Sequence, residues 1–231
     1  MSQLSVIIVT TEQDQRVTRL MEDLSQQIYK DFEVVLVDAS PEGNISDVVK
    51  AYQASIPEMS IHKAPSSNHA ICRNIGAEKA SYERLLFLSA EAKLPPNFLS
   101  EACTQLEKKY LDIAGVYIGK EESGLAEKGI SMCFNAGLFV TQYLFPSITN
   151  VCLFSTQTVH KRIGGFDENI IRYRTNDYIK RASHTWRFRL LNLSLDRYTD
   201  KEEIKASIKS GFRFYKDTVK RAVCGEFKKS A

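Results

Sequence analysis

Three short runs of the chain are apolar almost without interruption: Leu4 to Val9, Phe32 to Val37 and Arg84 to Leu88. A strand with one wet face alternates apolar and polar residues. Continuous runs rich in Val, Ile and Leu and bounded by turn residues mark strands covered on both faces, the condition of a parallel sheet. Between the first two runs, Val17, Leu20, Met21, Leu24 and Ile28 recur at three- and four-residue steps, one face of a helix. The spacing therefore predicts a βαβ unit. It continues with a helix over Ile45 to Ala54, a short strand over Met59 to Lys63, and a helix from about Asn68 to Ala80. Another helix is expected to start at Leu94-Pro95-Pro96, since Pro is tolerated in the first turn, with Phe98, Leu99, Ala102 and Leu106 on its apolar side. This alternation predicts an α/β fold with a mostly parallel, doubly wound sheet and a ligand crevice at the carboxyl ends of its strands.

Beyond Asp112 the rhythm loosens. A strand is expected over Ile113 to Ile118, then a charged stretch from Gly119 to Gly129 and an apolar segment to Pro146, with no internal repeat. A last helix is expected from about Lys201 to Val223, where Ile204, Ile208, Phe212, Tyr215, Val219 and Val223 form one stripe beside Lys205, Lys209, Arg213, Lys216 and Lys220. Residues 200–231 hold nine Lys or Arg against five Asp or Glu, a local +4 in a chain whose net charge is +3. The chain thus divides into a main domain, 1–199, and a basic amphipathic helix and tail, 200–231. That helix suits either an anionic membrane surface or packing on the domain.

Composition narrows the function classes. With 43% hydrophobic and 26% charged residues in 231, the chain has the balance of a globular protein. A pI near 8.5 is too mild to announce nucleic acid, and no nucleic-acid partner is expected. Five scattered cysteines, never in a C-x-x-C pair, argue for free thiols in a reducing compartment and against a zinc site. His62, His69, His160 and His184 have no ligand spacing. The opening MSQLSVIIVT reads as a buried strand, not a signal peptide, and no apolar stretch is long enough to span a bilayer. A cytoplasmic protein is expected, in which the tail either packs on the domain, the reading slightly favoured, or makes peripheral contact with the inner membrane face.

Two residues stand out on position alone. Asp38 ends the second strand run, where a carboxylate either accepts hydrogen bonds from a base or ribose or closes the strand as an Asx turn. Arg73, in the helix Asn68-His69-Ala70-Ile71-Cys72-Arg73-Asn74-Ile75-Gly76, suits a phosphate or carboxylate partner or a surface ion pair. Gly76 marks a close approach of that helix to the sheet.

Read in order, Ser5-Val6-Ile7-Ile8, Phe32 to Asp38, Cys72-Arg73-Asn74-Ile75-Gly76, Leu86-Phe87-Leu88, Leu94-Pro95-Pro96 and Ile163-Gly164-Gly165-Phe166-Asp167-Glu168 resemble the motif series of family 2 glycosyltransferases of the GT-A fold. The resemblance implies transfer of a sugar from a nucleotide-diphosphate sugar to a glycan or lipid-linked acceptor with inversion, in bacterial-type polysaccharide biosynthesis. It places Thr10, Asp38 and Arg73 at the donor. Where the family has D-x-D for a divalent ion, this chain has Ser89-Ala90-Glu91, so Glu91 is the implied ligand of a Mg²⁺ or Mn²⁺ held weakly or not at all. Where the family has P-T-Y-N, Val9-Thr10-Thr11-Glu12 lacks the aromatic that stacks on the base.

The family's E-D-x-D-L-x-x-R segment carries the general base. Aligned on its last Asp and Arg, Arg174-Thr175-Asn176-Asp177-Tyr178-Ile179-Lys180-Arg181 puts Thr175 at the base position, and a loop shift would put Asp177 there. Asp177 is therefore the candidate base, with a helix-start Asp as its other role. The degenerate positions leave a second function open: a non-catalytic module that binds sugar nucleotides or glycans on the same scaffold.

Overall fold

The computed structural model describes residues 3–11, 15–40, 45, 50–56, 58–119, 129, 132, 135–139, 148, 151–171 and 173–198. The helix expected over Lys201 to Val223 and the 200–231 segment lie outside them, as does most of the charged stretch after Gly119.

The elements follow in the order β1 (Leu4–Thr10), α1 (Gln15–Ser25), β2 (Phe32–Asp38), β3 (Met59–Lys63), α2 (His69–Lys79), β4 (Arg84–Leu88), β5 (Ala92–Lys93), α3 (Phe98–Lys109), β6 (Ile113–Ile118), β7 (Cys152–Thr156), α4 (Gln157–Arg162), α5 (Arg174–Ala182) and β8 (Phe188–Arg197). The strands form one sheet in the order β3-β2-β1-β4-β7-β6-β8-β5. The first four are parallel; β7 runs antiparallel to β4 and β6, and β8 is parallel to β6 and antiparallel to β5. Only β5 and β7 thus run against the rest.

Both faces of the sheet are covered, which is why its strands lack alternation. Leu4, Val6 and Ile8 of β1 with Val34 and Leu36 of β2 pack against Leu20, Met21 and Leu24 of α1 and Phe98, Leu99 and Leu106 of α3. Ile7, Val35, Val37 and Phe87 face the opposite way, toward Ala70, Cys72 and Ala77 of α2 and Tyr178 and Ile179 of α5. Gly76 is the point of closest approach: a Cβ there would collide with Ile7 Cγ2 and stand 3.3 Å from Val37 Cγ2. Glu33, the one charge inside the β2 run, is satisfied by Ser5 Oγ at 2.6 Å and by the Ser81 amide and hydroxyl at 2.5 and 2.9 Å.

Several boundaries differ from expectation. Ile28 lies beyond the end of α1 and is 70% exposed, so it does not extend the buried stripe. The helix after Leu94 starts only at Phe98, past both prolines. Of the expected 45–54 helix, residues 50–52 are helical and 41–44 and 46–49 are outside the described residues. Strands β7 and β8 carry no clear sequence signal; β7 is a five-residue run ending in Ser155-Thr156, and Thr156 caps α4 through a bond from the Val159 amide.

Candidate functional site

The carboxyl ends of β1, β2 and β4 form one edge of the sheet. Thr10 and Asp38 are register partners there, and the Ala39 amide donates to the Thr10 carbonyl at 2.8 Å. Asp38 is buried. Its Oδ1 accepts from the Ser40 amide at 3.0 Å and from the Ser40 hydroxyl, and its Oδ2 from Lys63 Nζ at 2.5 Å. Burial alone would raise the Asp38 pKa, but the Lys63 and Ser40 bonds outweigh it and hold the carboxyl below its ordinary value. The Asx turn is therefore real, and it leaves an ionised, oriented carboxylate at the rim. Lys63 itself is mostly solvent-exposed.

The next wall of the edge is built by two motifs that lock together. Asn68 caps α2 by accepting from the Ala70 amide at 3.0 Å, while its Nδ2 donates to the Glu168 carbonyl at 2.8 Å. Asn74 acts as a strand partner to Phe166: it accepts from the Phe166 amide at 2.8 Å and donates to the Phe166 carbonyl at 3.0 Å. The turn ahead of Phe166 needs its glycines, with φ of 75° at Gly164 and 71° at Gly165. Arg181 holds the same turn, donating to the carbonyls of Ile163 at 2.6 Å and Gly165 at 2.8 Å.

Arg73 lies over the Phe166 ring, 5.2 Å from its centroid, and donates to Thr175 Oγ1 at 3.1 Å. Burial, with Arg174 nearby, pushes its pKa down to about 10, so it stays cationic at neutral pH. His69 is driven the same way by burial and by both arginines. The expected base, Asp177, has a different partner: Arg181 meets its Oδ2 through Nε at 2.8 Å and a terminal nitrogen at 2.7 Å. Residues two apart on a helix leave it on nearly opposite sides, about 200° apart. Thr175, not Asp177, is the α5 residue turned to Arg73.

Glu91, three residues past β4, accepts from Arg16 of the first turn of α1 at 3.1 Å, and the Glu91 amide donates to Ser89 Oγ at 3.3 Å. Arg16 was not among the expected site residues, because helix periodicity weighs only apolar positions. Its signal was an arginine in a first turn with no acidic residue, the reverse of the usual preference. A divalent ion does not fit this set of donors. Among the described residues, the carboxylate at this position, Glu91, is already paired with a guanidinium. Asp23, which packs nearby, accepts from the Leu94 amide and the Tyr198 hydroxyl. Among the described residues no three His, Cys, Asp or Glu side chains gather to hold a metal, and no helix is long and apolar enough to cross a membrane.

Residues 5–192 match the sequence model of the family described as Glycosyl transferase family 2. The chain belongs to that family. The activity general to that family is the transfer of a sugar. The uncharacterized glycosyltransferase YwdF of Bacillus subtilis is 22% identical over 189 residues, which cover 80% of this chain and 69% of that protein. The fold is that of the mannosyltransferase PcManGT from Pyrobaculum calidifontis, solved with GDP-Man and Mn²⁺, with a TM-score of 0.72, 17% identity, and coverage of 89% of this chain and 59% of that one. It is also that of residues 1–349 of S. aureus TarS, solved with UDP-GlcNAc, with a TM-score of 0.68, 15% identity, and coverage of 86% and 60%. The chain therefore spans less than two thirds of either solved relative.

Proposed function

We propose that the protein binds a nucleotide-diphosphate sugar along the carboxyl edge of its sheet and transfers the sugar, with inversion, to a glycan or lipid-linked acceptor. The observation that supports this reading is that Thr10 and Asp38 are register partners at the carboxyl ends of β1 and β2, where open α/β sheets take their ligands, with Glu91 three residues past β4 and Arg73 in the helix that follows β3, all within the stretch that matches the family. Asp38 and Thr10 would receive the base and ribose, and Arg73 an anionic or hydroxyl group of the donor. The donors held by the two solved relatives, GDP-Man and UDP-GlcNAc, support this class of ligand and leave base and sugar open. We also place the protein in the cytoplasm, with residues 200–231 meeting the inner membrane face.

Inversion needs a group that takes the acceptor's proton as the hydroxyl attacks. Asp177 is our candidate, as the one carboxylate of α5, and its pairing with Arg181 is the competing role. One observation favours a second reading, binding without turnover: Thr175, which is no base, occupies the α5 position that faces Arg73.

Titration calorimetry with UDP, GDP and their sugars tests the donor site. Asp38→Ala should weaken binding by about 1.5–3 kcal/mol, as expected for a hydrogen bond to a charged group. Binding indifferent to that change would remove Asp38 from the site. A screen of nucleotide sugars against glycan acceptors tests turnover. Asp177→Asn should lower the rate by about 10²–10⁴ with donor affinity nearly intact. Donor binding with no turnover or hydrolysis of any sugar nucleotide would leave the binding reading standing instead.

A further inference from the structure

We propose that the Arg16 guanidinium, held at the end of β4 by Glu91, is the cation that receives the donor's diphosphate, so that nucleotide binding by this protein needs no divalent metal. The inference rests on the donor site of the preceding section and concerns how that site balances phosphate charge.

Among the described residues, the acidic side chain just past the end of β4 is Glu91, which a diphosphate placed there would meet. Alone, that carboxylate repels it. Arg16 cancels that repulsion and sets a cation beside the phosphates, because it sits 3.1 Å from Glu91 Oε1 and fixes its own side chain on that contact. Both side chains remain about one third exposed, at 28% and 36%. A pair so wet contributes only about 0–1 kcal/mol to folding, so stability does not account for it. Its position does: β1 and β4 are neighbours, with Ile8 opposite Leu88, and Asp38 lies across β1 on β2. Two strand spacings, ~10 Å, separate the Asp38 end from the Glu91 end. A nucleoside diphosphate lying across the edge with its nucleoside on Asp38 would bring its phosphates to Arg16.

The surroundings reinforce a positive field. The first turn of α1 contains no acidic residue, and the positive partial charge of a helix N-terminus lies beside Arg16. One turn on, Arg19 lies 5.5 Å from the Tyr198 ring centroid, and the Tyr198 amide donates to the Glu91 carbonyl at 2.8 Å. Arg19 thus borders the same corner. Glu91 here is a positioning residue: it aims a fixed cation instead of holding a mobile one.

The test is calorimetric titration of the full chain with UDP and GDP, once in excess EDTA and once with Mn²⁺. The proposal expects affinities that agree within about twofold, and a loss of about tenfold or more for Arg16→Gln in EDTA, with Arg16→Lys retaining part of it. Glu91→Gln gives the two accounts opposite signs. Gln keeps an acceptor oxygen for Arg16 while removing the repelling charge, so affinity in EDTA should be unchanged or raised, whereas a metal ligand's loss would abolish a Mn²⁺-dependent gain. Binding that requires Mn²⁺ and fails in Glu91→Gln overturns the proposal and leaves the donor site intact. So does metal-free binding that Arg16→Gln does not weaken. Absence of nucleotide binding under both conditions overturns the donor site itself. If Arg16→Gln does not fold, the Glu91→Gln comparison decides alone.

Discussion

His160 is buried against Phe87, Phe166 and Tyr178, with Nδ1 3.2 Å from the Tyr178 hydroxyl, which also meets Ser155 Oγ at 2.8 Å. Burial first, then the nearby Arg181 and Lys161, lowers its pKa from 6.5 to about 4. A depressed histidine binds its proton more readily when unfolded. Its neutral form therefore supports the fold above pH 6.5, and that support is lost as pH falls toward 4. Thermal melts between pH 7 and pH 4 should show a loss of Tm that His160→Asn flattens. An unchanged slope in the variant would assign acid sensitivity to other groups. Asn74 is the other residue with a sharp consequence. It makes both bonds of a strand pair to Phe166 and a third to Glu168 Oε1 at 2.9 Å. Asn74→Ala leaves two backbone groups of the turn without partners and should cost about 1–3 kcal/mol in urea unfolding. A cost near zero would show that water replaces them.

At the scale of elements, α2 is placed by a missing side chain. Gly76→Ala sets a Cβ against Ile7, and forcing the helix off β1 should cost about 1–3 kcal/mol in the same assay. A neutral result would mean that Ile7 turns aside. The parallel half of the sheet was readable from the chain because burial on both faces writes itself as unbroken apolar runs. β7 and β8 were not readable: β7 closes on the polar pair Ser155-Thr156, and β8 neither runs unbroken nor alternates cleanly, with Leu190 and Leu191 both buried and Asn192 and Ser194 exposed. The link between α2 and the Gly164-Gly165 turn was legible only as two separate motifs. Their union depends on Asn74 and Arg181, whose bonds cross some 90 and 16 residues of chain. The Asp177–Arg181 pair was visible as an i,i+4 spacing, yet spacing alone does not say which side of α5 faces Arg73. Arg16 escaped for a similar reason, since its partner lies 75 residues away.

For the molecule as a whole, charge is distributed unevenly. Residues 200–231 carry +4 of the net +3, so the remainder of the chain sums to −1. If the tail meets anionic lipid, the full chain should float with vesicles rich in phosphatidylglycerol at low salt and be released as salt screens the attraction. Retention in the unbound fraction at low salt would end the membrane reading. The central claim, that this family 2 protein takes a sugar nucleotide along the edge formed by β1, β2 and β4, is tested most directly by a crystal structure of the full chain grown with UDP or GDP. The account predicts the nucleoside within hydrogen-bond distance of Asp38 and the diphosphate on Arg16. A nucleotide bound elsewhere, or an edge left empty at saturating nucleotide, would contradict it.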